Sequence, residues 1–162
     1  MYENAKALRA MTLGRATFLI NDQIDLALAV NADGVHLGQD DFPLWVARSV
    51  LKKDALIGVS THTLSEAIDA EKEGADYIGF GPIFATDTKA DAKAPVGVAA
   101  IKQVKEAVRI PLYAIGGIQL TDLPHIFSAG ADGVAAISAF SSDTPSNVRR
   151  WLQSLPVEIK NR

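Results

Sequence analysis

The sequence has 162 residues, of which 48% are hydrophobic and 22% are charged, and its formal net charge at pH 7 is −3. This composition is typical of one globular domain, and the small negative charge argues against binding to nucleic acid or to an anionic membrane. The sequence contains no cysteine, which excludes disulfides, thiolate catalysis and cysteine-ligated metal. No apolar stretch reaches the roughly 18 residues of a membrane span, and residues 1–6 lack the apolar segment of a secretory signal, so we expect a cytoplasmic protein.

Short β-branched segments alternate along the chain with helical patterns. The predicted helices cover Glu3–Met11, Gln23–Val30, Pro43–Leu51, Leu64–Glu73, Val98–Val108, Asp122–Ala129 and Pro145–Leu152. The predicted strands cover Thr17–Ile20, Gly34–Leu37, Leu56–Ser60, Tyr77–Phe80, Pro111–Ile115 and Gly133–Ser138. Strands that alternate with helices of about ten residues indicate βαβ units and a parallel α/β sheet.

A five-residue pattern recurs where a predicted helix gives way to a predicted strand. It is present as Asn31-Ala-Asp-Gly-Val, Gly74-Ala-Asp-Tyr-Ile and Gly130-Ala-Asp-Gly-Val. Asn or Gly in the first position suits a left-handed residue that ends a helix. The pattern therefore indicates similarly built units within a single domain.

The spacing of the strands leaves two architectures open. The centres of successive predicted strands lie about 23 residues apart, and six such strands are visible in the sequence. Six parallel strands form either an open doubly wound sheet or part of an eight-stranded barrel that lacks its first two units.

Polar residues and glycines follow each predicted strand, where α/β folds bind their ligands. Asp22 and Asp41 follow the first two strands, and two carboxylates without cysteine or clustered histidine suit Mg²⁺ shared with phosphate oxygens. The simpler alternative is that each aspartate caps the next helix. Ser60 and His62 follow the third strand, but a hydrolase is disfavoured because no orienting acid or nucleophile elbow is evident. We expect His36 and His125 to be structural.

Two further segments have residues suited to phosphate. Gly117 and Ser138 follow the last two strands, where backbone N–H groups of barrels commonly hold phosphate, although a tight turn also explains the glycine. Residues 81–95 form the longest segment without predicted structure, and loops of this length often close over ligands. The hydroxyl and ammonium groups of this segment could contact phosphate, or the segment could be a solvated loop. The residues concerned are Thr86, Thr88, Lys89 and Lys93.

Six of these segments, in this order, resemble the thiamine-phosphate synthase family, whose members are TIM-type (β/α)₈ barrels. They are Ile20–Asp22, Asp33–Asp41, Ile57–His62, Gly74–Lys89, Ala114–Ile118 and Gly130–Ser138. The resemblance extends from the first helix to about Phe140. It implies an α/β barrel-type fold with about six of the eight units present.

The resemblance also implies a reaction and the residues that perform it. The family joins 4-amino-5-hydroxymethyl-2-methylpyrimidine diphosphate to a thiazole phosphate and releases pyrophosphate. The implied Mg²⁺ ligands are Asp22 and Asp41, and the implied catalytic residues are Asn21, Ser60 and Lys89. The implied substrate-binding residues are Asn21, Ser60, Thr86, Thr88, Lys89, Gly117, Ile137 and Ser138.

The chain departs from the family pattern in two places. Family members begin with two further βα units, which carry a Gln…Arg…Lys motif for the diphosphate, and Ala90 stands where a second lysine often follows Lys89. We therefore expect residues 1–162 to form a single barrel-type domain without those units, and a homo-oligomer because strand edges would be left open. The alternatives are a thiazole tautomerase-like enzyme, which Asp22 and Asp41 argue against, and a noncatalytic protein that binds phosphate ligands.

Overall fold

The structure, a computed structural model, describes residues 1–86, 93–140 and 144–156. The strands are β1 Leu19–Asn21, β2 Gly34–Leu37, β3 Leu56–Thr61, β4 Tyr77–Phe80, β5 Leu112–Ile115 and β6 Gly133–Ala135. The helices are α1 Tyr2–Thr12, α2 Ile24–Ala29, α3 Leu44–Val50, α4 Leu64–Lys72, α5 Val98–Ala107, α6 Leu123–Ser128 and α7 Thr144–Ser154. Short 3₁₀ helices cover Leu120–Asp122 and Ser138–Phe140.

The six strands form one parallel sheet in the order β1-β2-β3-β4-β5-β6. Each strand pairs with the next one in sequence, as in a (β/α)₈ barrel, whereas a doubly wound sheet reverses its order part-way. The strand order therefore settles the choice that the sequence left open in favour of the barrel type. The extent of the domain over residues 1–162 stays a prediction.

The two faces of the sheet differ in composition. One face carries branched and aromatic side chains that are fully buried against the helices, and its members include Val35, Leu37, Ile57, Ile78, Phe80 and Leu112. Residues that alternate with these point to the inner face, among them His36, Ser60, Tyr77 and Tyr113. The hydrophobic core thus lies between sheet and helices, and the inner face is left for polar and aromatic groups.

The recurring five-residue pattern has the predicted backbone conformation. Its first residues, Asn31, Gly74 and Gly130, have φ angles of 54°, 89° and 102°. These values lie in the left-handed region that ends a helix. Helix α4 begins with a capping box, in which the Thr63 side chain accepts a hydrogen bond from the Glu66 N–H and the Glu66 carboxylate accepts one from the Thr63 N–H.

Four predicted strands have different bounds in the structure. β3 ends and β5 begins one residue later than predicted, and the first and last strands differ most. The first begins at Leu19 because the N–H of Phe18 donates to the Asp33 carboxylate, 2.8 Å away, instead of to a neighbouring strand. The last ends at Ala135, and Ser138 opens a 3₁₀ helix whose Phe140 ring packs 5.3 Å from Trp151. Within the described ranges, no helix has the length and apolar character that crossing a bilayer requires.

Candidate active site

A cavity of about 490 Å³ lies at the carboxyl ends of the strands. Every strand contributes to its wall, either by its own last residues or by the segment that follows. The contributions from β1 to β6 are Asp22; Gly38–Asp41; Ser60 and His62; Gly79, Gly81 and Pro82; Ile115–Ile118; and Ala135–Ser138. The parallel arrangement therefore brings residues far apart in sequence to one place.

Asp22 and Asp41 line the same cavity, and neither serves as the cap of a helix. The N-cap residues of α2 and α3 are Gln23 and Pro43, and neither makes a side-chain capping bond. Asp22 has a left-handed φ of 66°, and its N–H donates to the carbonyl of His36 at 2.8 Å. The Asp41 carboxylate is held by the N–H of Gly38 at 2.6 Å. Both aspartates are thus fixed by the backbone around β2 rather than used to start helices.

The glycine turn after β5 forms the opposite wall. Gly116 and Gly117 have φ angles of 95° and 64°, a conformation that glycine adopts without strain. A Cβ on Gly117 would lie 2.4 Å from the carbonyl oxygen of Ala85, so only glycine lets the β4–α5 segment pack here. Ile83 and Phe84 donate N–H bonds to the carbonyls of Ile115 and Gly116, which ties that segment to the turn. The tight-turn explanation for Gly117 is therefore correct, and it does not conflict with a phosphate site.

The family model described as thiamine monophosphate synthase matches residues 1–140. This chain belongs to that family. The thiamine-phosphate synthase of Methanospirillum hungatei is 52% identical over 140 residues, which cover 86% of this chain and 68% of the relative. That of Methanosarcina barkeri is 50% identical over 139 residues, which cover 86% of this chain and 63% of the relative.

A solved structure agrees with both the family and the fold. Thiamine phosphate pyrophosphorylase from Pyrococcus furiosus superposes with a TM-score of 0.86 at 38% identity, over 94% of this chain and 74% of that one. A 3-hexulose-6-phosphate synthase, at 15% identity and a TM-score of 0.69, shares the fold alone. The chain spans about two thirds of the length of the curated synthases that it matches.

The residues expected from the synthase family are only partly brought together. Besides the two aspartates, the described cavity wall includes the expected residues Ser60, Thr86, Gly117, Ile137 and Ser138. Asn21 ends β1 and is exposed, and it is not part of the cavity wall that the structure describes. Thr88 and Lys89 lie outside the described residues. Lys93 does line the cavity, and its ammonium lies 3.7 Å from the carboxylate of Glu66.

One hydrogen bond of Ser60 was not predicted from the sequence of this synthase-family chain. Its hydroxyl oxygen lies 2.9 Å from Nε2 of His36, and Nδ1 of the same ring lies 2.9 Å from the hydroxyl of Tyr77. Burial, followed by the nearby Tyr113 and Asp76, raises the pKa of the Tyr77 phenol to about 12. The alternation of inner-face residues along β2, β3 and β4 was the available signal, but it required the strand register.

Proposed function

We propose that the chain is a thiamine-phosphate synthase, which joins the pyrimidine diphosphate to the thiazole phosphate and releases pyrophosphate. One observation carries the proposal beyond family membership. One cavity has the Asp22 and Asp41 carboxylates on its β1–β2 side. Its other side has the glycine turn after β5 and Ser138, the first residue of the 3₁₀ helix after β6. Such a cavity can take two phosphorylated substrates side by side, one through a cation and one through backbone N–H groups.

Asp22 and Asp41 would hold the Mg²⁺ ion of this reaction. The two residues line one cavity and offer only oxygen atoms as metal ligands. The Asp41 carboxylate is already oriented by a hydrogen bond from the Gly38 N–H. Their chemistry therefore fits Mg²⁺, which when bound would neutralise charge on the departing diphosphate. The residues described contain no group of three or more His, Cys, Asp or Glu side chains arranged for a metal, so the proposed site relies on substrate oxygens for its other ligands.

The chain's own residues then position the two substrates. The C–O bond to the diphosphate breaks, pyrophosphate leaves with the electron pair, and the thiazole nitrogen attacks the pyrimidine methylene carbon. Asn21 and Lys89 are assigned to the diphosphate and Ser60 to the pyrimidine end. The remaining assignments, all to the thiazole phosphate, are Thr86, Thr88, Gly117, Ile137 and Ser138. Catalysis rests on stabilising the leaving group and on orientation.

The decisive experiment measures thiamine phosphate formed from both substrates with and without Mg²⁺. Asp41→Asn keeps an acceptor for the Gly38 N–H and removes the charge, so we expect a loss of roughly a hundredfold or more in kcat/KM. Asp69→Asn is the control, because Asp69 is exposed and its carboxylate, among the described residues, contacts Ser65 and Lys72 of its own helix, away from the cavity. Equal activity of the Asp41 and Asp69 variants would refute the assignment, and substrate binding without turnover would identify a noncatalytic binding protein.

Magnesium binding gives a second measurement that needs no turnover. In calorimetry we expect weak binding of Mg²⁺ alone and tighter binding when pyrophosphate is present, because Mg²⁺ usually retains oxygen ligands from phosphate. Asp22→Ala should abolish this increase. An increase that survives in both the Asp22→Ala and the Asp41→Asn proteins would place the metal elsewhere.

Two finer features belong to the same proposal. We infer that copies of the chain associate, because β1 and β6 each pair on one side only among the described strands. Exposed apolar side chains on and after α1, among them Leu8, Met11 and Leu13, add to this tendency.

We place the protein in the cytoplasm, since its proposed substrates carry phosphate charges that prevent free passage through a bilayer.

A further inference from the structure

A row of inner-face side chains crosses the sheet beneath the cavity. Tyr113 of β5 packs edge-on against Tyr77 of β4, with ring centroids 5.3 Å apart. The Tyr77 hydroxyl oxygen lies 2.9 Å from Nδ1 of His36 on β2. Nε2 of the same ring lies 2.9 Å from the hydroxyl oxygen of Ser60 on β3. Ser60 alone of these four lines the cavity. The row therefore connects the half-buried Tyr77 phenol to one hydroxyl at the cavity surface.

Gly58 makes the contact between β2 and β4 possible. In the strand register it stands between His36 and Tyr77, since it is the partner of both. A Cβ at this position would lie 2.0 Å from Cζ of Tyr77, so the ring lies directly over the glycine. Tyr77 reaches across β3 to the histidine only because residue 58 has no side chain.

The direction of the protons in this row follows from counting donors and acceptors. The Tyr77 hydroxyl has one proton to donate, and among the described residues its hydrogen-bond partner is Nδ1 of His36. If Nδ1 carried the histidine proton, the phenol proton would be left without an acceptor in a half-buried site, which is costly. Nδ1 therefore accepts, Nε2 carries the proton, and the Nε2–H donates to the oxygen of Ser60.

The same counting fixes the role of the serine hydroxyl. Its oxygen accepts from Nε2–H, so its own proton is directed elsewhere. The described residues offer that proton no second partner, while Ser60 lines the cavity. The hydroxyl is thus set as a donor toward the ligand rather than as an acceptor.

We propose that His36 is a positioning residue which, anchored by Tyr77, fixes the Ser60 hydroxyl as a hydrogen-bond donor to an acceptor atom of the pyrimidine diphosphate. The inference rests on the proposed function for the identity of that ligand. It assigns a role to two residues that the family resemblance left unassigned. It also explains why an inner face rich in glycine carries this one continuous polar row.

The histidine tautomer tests the first half of the proposal without any activity. The chain has three histidines, so ¹⁵N–¹H correlation spectra of the rings are simple to assign with a His36→Gln variant. We expect the Nε2–H tautomer for His36 in the unsubstituted protein. Tyr77→Phe removes the donor to Nδ1 and should shift His36 toward a mixture with the Nδ1–H form. A dominant Nδ1–H form, or a spectrum unchanged by Tyr77→Phe, would overturn the proposal.

Ligand affinity tests the second half. Calorimetry with the pyrimidine diphosphate and Mg²⁺, without thiazole phosphate, reports binding without turnover. We expect Tyr77→Phe to weaken binding roughly five- to tenfold, as for one well-oriented hydrogen bond. Tyr113→Phe is the matched control, because it removes a phenol from the same row but no hydrogen bond of the His36 ring. Equal effects of the two substitutions would overturn the positioning role.

Two further variants separate positioning from general structural damage. In a Ser60→Ala background, Tyr77→Phe should have little additional effect, since the hydroxyl that it orients is gone. His36→Gln keeps an amide donor for Ser60 and should retain more affinity than His36→Ala. If Tyr77→Phe weakened ligand binding as much in the Ser60→Ala background as in the unsubstituted protein, the proposal would be refuted. Absence of thiamine phosphate in the assay would instead refute the proposed function and leave the tautomer and affinity results to stand.

Discussion

Single residues on the inner face determine which side chains can meet. Gly58 is the clearest example, because the Tyr77 ring occupies the space that any side chain there would need. The glycine therefore contributes both to packing and to the hydrogen-bonded row at Ser60.

Gly58→Ala should destabilise the protein and displace Tyr77. The added methyl would lie 2.0 Å from Cζ of that ring, so we expect the free energy of unfolding to fall by about 1–3 kcal/mol, as in other overpacked sites. Urea unfolding measures this. Gly74→Asn is the control, since Asn31 holds the equivalent left-handed position in the first repeat, and its cost should be about 1 kcal/mol or less. A smaller effect of Gly58→Ala than of the control would contradict the packing argument.

At the scale of elements, the recurring aspartates join two successive βα units. Each accepts a hydrogen bond from a backbone N–H at or next to the start of the preceding unit's strand, and each forms an ion pair with a basic residue of the helix before that strand. The pairs are Arg9–Asp33, Arg48–Asp76 and Lys105–Asp132, and the N–H donors are Phe18, Ile57 and Leu112. These clamps lie at the amino ends of the strands, opposite the cavity, where barrel residues serve stability.

Asp132→Ala should cost about 1–3 kcal/mol of unfolding free energy. It leaves the N–H of Leu112, a fully buried residue, without its 3.0 Å partner and removes the ion pair with Lys105. Denaturant unfolding gives the value. Asp69→Ala breaks a more exposed pair, 3.5 Å from Lys72, and should cost less than about 1 kcal/mol. Equal costs would show that the buried N–H bond contributes nothing.

Asp33 should make the free energy of unfolding depend on pH in the acidic range. The N–H of Phe18, together with Arg9, holds the pKa of this carboxyl below its usual value of 3.8, against the opposing effect of burial. Its stabilising effect is complete above the unfolded pKa and is lost as pH falls through the lower folded pKa. The stability difference between the unsubstituted protein and Asp33→Asn should therefore shrink when urea unfolding is repeated from about pH 6 down to about pH 3.

A variant of the partner arginine provides the control for Asp33. Arg9→Gln removes one of the groups that lower the pKa of Asp33 but leaves the Phe18 N–H bond. The contribution of Asp33 to stability should therefore depend less on pH in this variant, without becoming independent of it. A stability difference that stays constant over the whole pH range would show that Asp33 is not linked to folding.

At the scale of the whole molecule, the parallel sheet creates the cavity and also leaves open edges. Asp22 and Ser138 come from segments after its two outermost described strands, yet both line one cavity. Among the described strands, β1 and β6 each have one side without a paired strand, because they are the two outermost strands of the sheet.

We expect a polypeptide of these 162 residues to self-associate. Sedimentation velocity over a range of concentrations should give species heavier than the 17.3 kDa monomer, with the proportion rising with concentration. The physical reason is the combination of open strand edges with exposed apolar side chains near α1. A monomer at every concentration would contradict this expectation.

Local chemistry was sufficient to predict much of this protein from its sequence. β2 and β4 have the predicted bounds, and α4 begins at the predicted Leu64, because these features depend on neighbouring residues and on period-two or helical patterns. The polar residues after the strands were also predicted to converge, and the described ones, Asn21 excepted, line the cavity because parallel strands end on one side.

Contacts across strands could be decided only by the tertiary structure. The bond between His36 and Tyr77 joins residues 41 positions apart, and that between His36 and Ser60 joins residues 24 apart. A shift of the register by one residue would turn each side chain to the opposite face of the sheet. No local sequence pattern therefore specifies these contacts between strands. The sequence by itself determined the βα units, their succession along the chain and the family. Packing of the sheet decided the order of the strands and which side chains lie against each other, because order and register are properties of paired strands and not of any strand alone.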